Sequence, residues 1–379
     1  MSPIRGSRSP VVVDGVLRAS ASLRSSVESG NRLPDIANGR SGRHHERVTD
    51  KPPTLRDVAA ASGVAISTAS RALSRPGRIN EETAVRVREA AAALGYTVGA
   101  SGRALSSGRT GTVALVVPDV TNPFFFGIVR GTQAALRAAG YTHVLVDTEE
   151  SVQAEERALR MLRTSADGAV LAAPRLGDEW LVAWSSALPL VTLNRPVNGA
   201  GVVIDTPGGA VQALEHLASL GHRRIAYAGG PRTSWSDSRR RTALRAAARR
   251  LRVEVVVLGP YAPQREAGAA AADAAWQSDA TGVLAFNDLL AFGMLERFAA
   301  RGVDVPGQMS VVGCDDVFGA DLVRPALTTV AAPLERAGHR AADLLLATID
   351  GRALGPADRY DELPTHLVVR ESTGPATPR

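Results

Sequence analysis

The sequence predicts an all-helical helix-turn-helix unit followed by a two-lobed α/β body built on parallel sheets. Three observations carry this. Between Thr54 and Gly95, apolar residues recur at helical spacing, interrupted by a break at Ser62-Gly63. From Thr112 onward, short and nearly continuous apolar segments alternate with helical ones, as strands buried on both faces of a parallel sheet do. About ten such strands are too many for one compact sheet of this sort, so they divide between two lobes.

The bulk composition agrees with packed domains. The chain has 379 residues, more than one ordinary domain, with 45% hydrophobic and 22% charged residues. Aromatics are only 4%, which leaves Ala, Val and Leu to fill the cores. The single cysteine, Cys314, excludes a disulfide within the chain and a cysteine-rich metal site. The lone lysine is Lys51, and every strong cation from Thr54 onward is Arg. A Walker-type phosphate loop and a Schiff-base enzyme both need a lysine, so neither is expected. No run approaches the roughly 20 apolar residues that span a bilayer. Nor is a signal-peptide core expected, because the longest purely aliphatic run between Met1 and Asp50 is Val11-Val12-Val13.

The net charge of +6 is unevenly placed. Residues 1–53 carry 9 basic and 5 acidic side chains, residues 54–110 carry 8 and 4, and residues 111–379 carry 27 and 29. A basic front on a near-neutral body suggests a polyanionic partner held by that front, against the plainer alternative of a solvated basic tail. Residues 1–53, rich in Arg, Ser and Gly, read as a disordered extension.

Order begins at Thr54. Thr54-Leu55-Arg56-Asp57 fits a capping box, with an acid three residues after a Thr cap. Ser62-Gly63-Val64 breaks the first helix, since glycine tolerates the sharp turn. A second short helix runs from Ile66 to about Leu73 and ends at Ser74-Arg75-Pro76-Gly77. Asn80 caps a third, on which Ala84, Val87, Ala91 and Leu94 form one apolar face, and Gly95 stops it. Two helices joined by a glycine turn, with a third packed behind, form a helix-turn-helix. Such a unit lays its second helix in the DNA major groove. On that helix Ile66, Ser67, Ser70 and Arg71 can face outward, while Val64, Ala69 and Leu73 pack inward. Short side chains at its start suit base edges and thymine methyls, and Thr68, Ser70 and Arg71 suit phosphates. The alternative is a small helical bundle that binds nothing.

These residues carry a resemblance. Thr54-Leu55-Arg56-Asp57-Val58-Ala59, Ser62-Gly63-Val64, Thr68-Ala69-Ser70-Arg71-Ala72-Leu73, Arg78-Ile79-Asn80-Glu81-Glu82-Thr83 and Leu94-Gly95-Tyr96 resemble the signature of the lac repressor/galactose repressor family, and the likeness extends over roughly 54–371. It implies that Ile66 and Ser67 hold the two main base-reading positions and that Arg71 lies near bases and backbone. Ala65 departs from the usual Ser at the start of this helix, which loses a cap and a phosphate contact. Ala69 replaces a usual Val.

Residues 98–110 alone read as a flexible linker. The resemblance implies a hinge that becomes helical on DNA, with Arg103 and Leu105 on the duplex and Leu105 wedged into the minor groove, which kinks DNA. Val98-Gly99 replaces a usual Pro-Asn, and Gly102 replaces an Ala at a cost of roughly 1 kcal/mol of helix propensity. The DNA-contacting set is then Thr54, Ile66, Ser67, Thr68, Ser70, Arg71, Arg78, Arg103 and Leu105.

In the body, strands are expected at 113–117, 142–146, 169–172, 190–193, 202–204, 224–228, 255–258, 282–285 and 310–313, with helices at 125–139, 153–165, 208–220, 238–251, 264–277 and 288–301. Ligands bind at the carboxyl ends of strands in open parallel sheets, and a cleft between lobes is the default site. The body resembles the periplasmic sugar-binding protein fold that the family shares. Residues 111–206 plus about 328–342 should form one lobe, and the remainder the other. The domain scheme is therefore 54–97 helix-turn-helix, 98–110 hinge, 111–371 effector-binding and dimerisation body, and 372–379 a tail.

Motifs at strand ends nominate the pocket. Phe124 and Phe125, in Pro118–Phe125, can stack on a sugar face or a purine, or serve as core. Asn194 ends a strand, Asn287 precedes Asp288 as in the family's Asn-Asp, and Asp315 matches a family acid that binds ligand hydroxyls. Asx side chains suit that role because they accept, or accept and donate, on short stems. Each can instead cap a strand end. The family's ligand-binding Arg aligns with Ser238, which makes Arg239 the substitute, with Trp235 closing the pocket.

His143, His216, His222, His339 and His366 show no metal spacing, and no G-x-S-x-G or G-x-G-x-x-G motif occurs. Neither a metal, a cofactor nor catalysis is expected. The resemblance implies a cytoplasmic transcription regulator, a repressor, that binds a palindromic double-stranded DNA operator as a homodimer, away from any membrane, under control of a small effector for which a sugar is favoured over a nucleobase. The alternatives are a carbohydrate-binding protein or a sugar-metabolising enzyme on the same fold, and a regulator whose pocket has drifted, as Ser238 hints.

Overall fold

The computed structural model describes residues 53–74, 77–96, 109–197, 201–353 and 355–377. The extension up to residue 52 and most of the hinge, including Arg103 and Leu105, lie outside the described residues.

The front module contains α1 (Leu55–Ser62), α2 (Ile66–Ser74) and α3 (Glu81–Ala93). Thr54 and Asp57 form the reciprocal capping box. Gly63 takes the left-handed conformation at φ 67°, and the next amide, of Val64, returns to Ala59 O at 3.0 Å, closing the turn between α1 and α2. Asn80 caps α3 through the Glu82 amide. A small core of Val58, Ala59, Ala69, Ala72, Ala84, Val87 and Ala91 holds the three helices together. Leu94 departs from the expected apolar face: it follows the last helical residue and is 39% exposed, because the helix ends before its side chain reaches the core.

The body holds two parallel sheets. The first contains β1 (Thr112–Val117), β2 (Thr142–Asp147), β3 (Gly168–Ala172), β4 (Leu190–Leu193), β5 (Gly201–Ile204) and β11 (Tyr360–Leu363), in the order β11-β5-β4-β3-β1-β2. The second contains β6 (Arg224–Ala228), β7 (Glu254–Leu258), β8 (Gly282–Ala285) and β9 (Ser310–Val312), in the order β7-β6-β8-β9. A short antiparallel pair, β10 (Thr329–Ala331) with β12 (His366–Val368), stands apart from both.

Alternation along the strands feeds a core on each face. In the first sheet Val113, Leu115 and Val117 pack with α4 (Phe124–Ala138) and α11 (Leu334–Ile349), while Ala114 and Val116 pack with α5 (Val152–Ser165) and α6 (Asp178–Ser185). In the second, Ala226 and Val283 face α9 (Gly268–Gln277) and α10 (Asp288–Ala300), and Ile225, Tyr227 and Leu284 face α7 (Thr206–Ser219) and α8 (Trp235–Leu251). The last helix, α12 (Pro356–Arg359), precedes β11.

Three expectations need correction. The returning segment of the first lobe extends beyond 342, because α11 and β11 carry it to Leu363. The polar, short strand Tyr-Asp-Glu-Leu has no alternation that would announce it. Helices 178–185 and 334–349, and strands β10 to β12, were not foreseen either. Residues 372–376 are also not a free tail. Ser372 is buried and exchanges bonds with Val311, Gly374 N donates to Ser310 Oγ at 3.1 Å, and Ala376 N donates to Leu220 O at 2.9 Å, so the segment continues along the edge of β9.

Helices α4 and α11 meet backbone to backbone. A Cβ on Gly131 would lie 1.9 Å from Glu335 O, and one on Gly338 would lie 2.2 Å from Ile128 O. Replacing a helical Gly by Ala ordinarily stabilises by about 1 kcal/mol, whereas forced overpacking costs typically 1–3 kcal/mol. Gly131→Ala should therefore lower the thermal unfolding midpoint, while Gly177→Ala, whose Cβ would meet nothing nearer than 4.0 Å, should leave it near wild type. An unchanged midpoint for Gly131→Ala would contradict this packing.

Candidate functional site

On α2, Ile66 is 46% exposed although large and apolar, and Ser67 and Arg71 are exposed beside it. Ala69 is fully buried, Val64 and Leu73 are half-buried against the core, and Thr68 and Ser70 are half-buried between the two faces. The outward set is thus Ile66, Ser67 and Arg71, with Ser70 turned further inward than the helical wheel suggested. At the start of α2 Ala65 gives its carbonyl to the amides of Thr68 and Ala69, and its methyl side chain has no atom to cap with. Thr54 and Arg78 are exposed at the edges of the module. The helix Ile66–Ser74 carries no carboxylate, so its exposed face presents no repulsion to a polyanion.

The second site is a narrow cavity of about 50 Å³ between the carboxyl ends of the two sheets. Phe124 and Phe125 open α4 and meet edge to face at 5.0 Å. Both are buried in the core of the first sheet and also line the cavity, so the two readings of these aromatics hold together. Asn194 sits at φ 63° just after β4, buried, where its Oδ1 accepts the Ile204 amide at 3.0 Å. Asn287 caps α10 through the Leu290 amide and donates to Pro263 O, each at 3.0 Å, while lining the cavity. It caps the helix and lines the cavity at once.

Asp315 follows β9 at φ 120°, a conformation that costs a non-glycine residue on the order of 1–3 kcal/mol and is found at functional sites. Burial pushes its carboxyl well above the usual carboxylate range; nearby Asp288 adds to this and Arg240 opposes it. Asp288 is itself fully buried, accepting from Thr329 Oγ1 at 2.5 Å and from the Val317 amide at 2.9 Å.

Two expected residues are elsewhere. Arg239 is exposed, and its guanidinium lies 5.7 Å from the Trp235 ring one turn away; neither residue lines the cavity. The arginine in the wall is Arg240. Its Nε donates to Thr206 Oγ1 at 3.2 Å, its Nη1 donates to Phe286 O at 2.5 Å, and its plane lies 4.7 Å from the Phe286 ring. Burial opposes this charge, but the neighbouring Cys314, Tyr227, Asp315 and Asp237 outweigh it and raise the guanidinium pKa, so Arg240 stays protonated. The reason for the shift is helical phase. Ser234 caps α8 three residues earlier than expected, and its buried stripe runs Asp237, Arg240, Leu244, Ala247 and Ala248. One residue is about 100° of rotation, so Arg239 points away. In a helix with arginines at 239, 240, 241, 245, 249 and 250, only that stripe distinguishes the inward one. With Arg240 in place, Ser238 leaves the cavity wall with its guanidinium.

The sequence also gave no notice of Arg175, whose Nε and Nη2 grip Glu150 in a forked pair at 2.5 and 2.9 Å. Glu155 accepts the Arg175 amide at 2.7 Å and so fixes the loop. These groups come from different strand ends of one sheet, and no local motif links them.

Comparisons with known proteins agree with this arrangement. Residues 54–98 match the model for bacterial regulatory proteins of the lacI family, and residues 214–373 match a periplasmic binding protein-like domain. The transcriptional regulator DegA of Bacillus subtilis (strain 168) is 30% identical over 338 residues, covering 85% of this chain and 98% of DegA.

The chain belongs to the lacI family.

A solved complex of the regulator CelR with cellobiose is 32% identical, with a TM-score of 0.63, covering 84% of this chain and 99% of that one. The lac repressor dimer bound to operator and the anti-inducer ONPF shares the fold at a TM-score of 0.75 and 24% identity, covering 86% and 100%. As a member of the lacI family, the protein is a transcriptional regulator and not an enzyme. Among the described residues no helix is long and apolar enough to cross a membrane.

Asp288 yields a pH test. Burial, only partly offset by its bonds from Thr329 and Val317, pushes its pKa up to about 6 from the usual 3.8. The folded state then holds the proton more tightly than the unfolded state, so stability falls as pH rises through this window and the loss is complete above pH 6. The stability advantage of wild type over Asp288→Asn should shrink between pH 4 and pH 6, on the order of 2–3 kcal/mol. A difference constant across that range, in denaturant titrations, would show that Asp288 does not titrate there.

Proposed function

We propose that this regulator is a repressor that binds a palindromic operator as a homodimer and is controlled by a sugar bound between its lobes. The domain scheme proposed is 54–97 for DNA, 98–110 as hinge and, with the segment along β9 included, 111–376 for effector and dimer. The observation that carries the reading is the pairing, in one chain, of the exposed Ile66, Ser67 and Arg71 face with a cavity walled by aromatic rings and buried Asx and Arg groups. Rings stack on the apolar faces of a sugar, and the carboxyl and amide groups exchange hydrogen bonds with its hydroxyls. The CelR complex with cellobiose supports a sugar over a nucleobase.

Dimerisation has support of its own. Phe318 is 84% and Leu322 60% exposed, and β2 is a sheet edge carrying exposed Val144 and Leu145. Exposed apolar side chains and an open strand edge fit contact with a second copy, and the lac repressor structure is a dimer. A two-fold dimer places one α2 in each half of a palindrome. Thr54, Thr68, Ser70, Arg78 and Arg103 would hold the backbone, and Leu105 would enter the minor groove. Effector binding changes lobe closure and thereby the spacing of the DNA-binding ends, with a coupling of about 1–3 kcal/mol.

Recovering genomic fragments with the purified protein supplies the operator for two tests. Arg71→Ala should weaken operator binding at least about tenfold in gel-shift titration, the loss of a charged hydrogen bond; unchanged affinity would remove α2 from the interface. Arg240→Ala and Asp315→Ala should bind operator as wild type does but no longer respond to the sugar that shifts wild type. A normal response in both would relocate the effector site.

A further inference from the structure

A separate cavity, of about 370 Å³, lies at the opposite end of the first sheet. Its wall includes Leu190, Gly201 and Arg359, which stand at the amino ends of β4, β5 and β11, and it shares no residue with the cavity between the sheets. Its cause is the short pairing of β4 with β5. The two strands are in register only at Leu193 and Val202, and β5 begins at Gly201. Among the described residues no strand stands beside Leu190 and Val191 on that side. Helices from both faces of the sheet wall the space instead: Leu181 and Ser185 come from α6, Leu344 and Thr348 from α11.

The lining is aliphatic where it is buried, at Leu181, Val191 and Leu344. Where it is exposed it carries two arginines, Arg352 and Arg359, and among the described residues no carboxylate lines it. This volume, with an apolar lining and a few polar groups, falls in the range of small-molecule sites, roughly 300 to 1,000 Å³. Arg352 reaches the neighbouring Asp350 at 3.6 Å, and its side chain is 65% exposed. An exposed pair of that length holds a guanidinium weakly. Asp350 has a closer partner: its Oδ1 accepts from Arg109 Nη1 at 2.9 Å, and Arg109 Nη2 donates to Ile349 O at 2.9 Å. Arg109 stands just before β1, where the chain enters the body. One acid therefore lies between the cavity's Arg352 and the entry point of the chain from its DNA-binding end.

We propose that this cavity is a second regulatory site, which takes an apolar carboxylic acid. Its hydrocarbon lies among Leu181, Val191 and Leu344, and its carboxylate pairs with Arg352. A guanidinium meets a carboxylate in a forked, charge-assisted geometry. A monoanion is selected over a phosphate dianion, because Asp350 beside Arg352 repels the second charge. The bound acid competes with Asp350 for Arg352 and so alters what Asp350 offers Arg109. Operator affinity responds to the acid for that reason. The site stands independently of the sugar reading; the response rests on the operator reading and the hinge proposed above.

The test is a titration of the full-length protein with octanoate, phenylbutyrate and naphthoate, read by calorimetry and thermal shift. Acetate, naphthamide and octyl phosphate serve as comparisons. Acetate lacks the hydrocarbon, the amide lacks the charge and the phosphate carries too much of it. Each should bind at least about tenfold more weakly than the best apolar acid. Thr348→Phe, which fills the space from an exposed helical position, should abolish binding of the acid. Arg352→Ala should weaken it at least about tenfold, and Arg352→Lys, which keeps the charge, should recover most of the loss. Both positions are exposed, and the unfolding midpoint without ligand checks that the variants fold. In gel-shift titration the acid should change operator affinity about 5–150-fold, and Asp350→Asn should still bind the acid while losing that response. Failure of every acid to bind, or binding that survives both Thr348→Phe and Arg352→Ala, overturns the site. Tightest binding of octyl phosphate overturns the carboxylic acid as its ligand. Acid binding with unaltered operator affinity overturns the regulation and leaves the operator reading intact. No operator binding with or without acid overturns that reading itself.

Discussion

The body depends on how the chain crosses between its two sheets. It does so three times, and the crossings are hydrogen-bonded to one another. The Asp205 amide on the first donates to Leu363 O on the third at 2.9 Å, and Thr365 Oγ1 returns to Asp205 O at 2.7 Å. The second and third pair as β10 with β12, and the Asp315 amide donates to Val330 O at 2.8 Å. Gly209 lets helix α7 lie against this knot, since a Cβ there would strike Val330 and Thr365. Crossing backbone that belongs to neither sheet still has to satisfy its polar groups. Here the crossings satisfy each other, so a displacement of one is felt by all three.

That constraint also holds the groups that line the cavity between the sheets. Thr206, which holds Arg240 Nε, begins immediately after the first crossing. Asp315 lies on a bridge to Ala331 in the second. The buried acids around it, Asp288 and Asp315, are pushed toward the neutral form by burial, and Thr329 of the second crossing donates to Asp288. Arg240 and Asp315 are thus joined to the crossings, and under the proposed effector reading a molecule bonded to them would act on the relative position of the sheets. Packed elements respond to such pulls by shifting between discrete arrangements.

The extent to which this was legible from residues alone differs by site. The capping box at Thr54, the turn at Gly63 and the outward Ile66 and Ser67 depend on contacts within a few residues, and each stands where the sequence put it. Nine strands of the body were marked by apolar runs for the same reason. Asn194, Asn287, Asp315 and the two phenylalanines line one cavity, as the convergence of strand ends in parallel sheets led one to expect. Arg239 was wrong by one residue because helical phase, set by the cap at Ser234, decides which arginine turns inward. The segment from Ser372 to Ala376 read as tail because its partners, Val311, Ser310 and Leu220, are more than sixty residues away in each case.

The sequence by itself determined the module order, the helix-turn-helix and the parallel α/β body, because capping, turn chemistry and hydrophobic period are local and survive in a linear text. Only the tertiary structure decided that Arg240 forms the wall, that Arg175 grips Glu150, that a cavity opens beside the amino end of β4, and that strand β11 returns to the first sheet. Each of these is a relation between segments far apart in the chain, fixed by packing geometry that no single stretch of residues encodes.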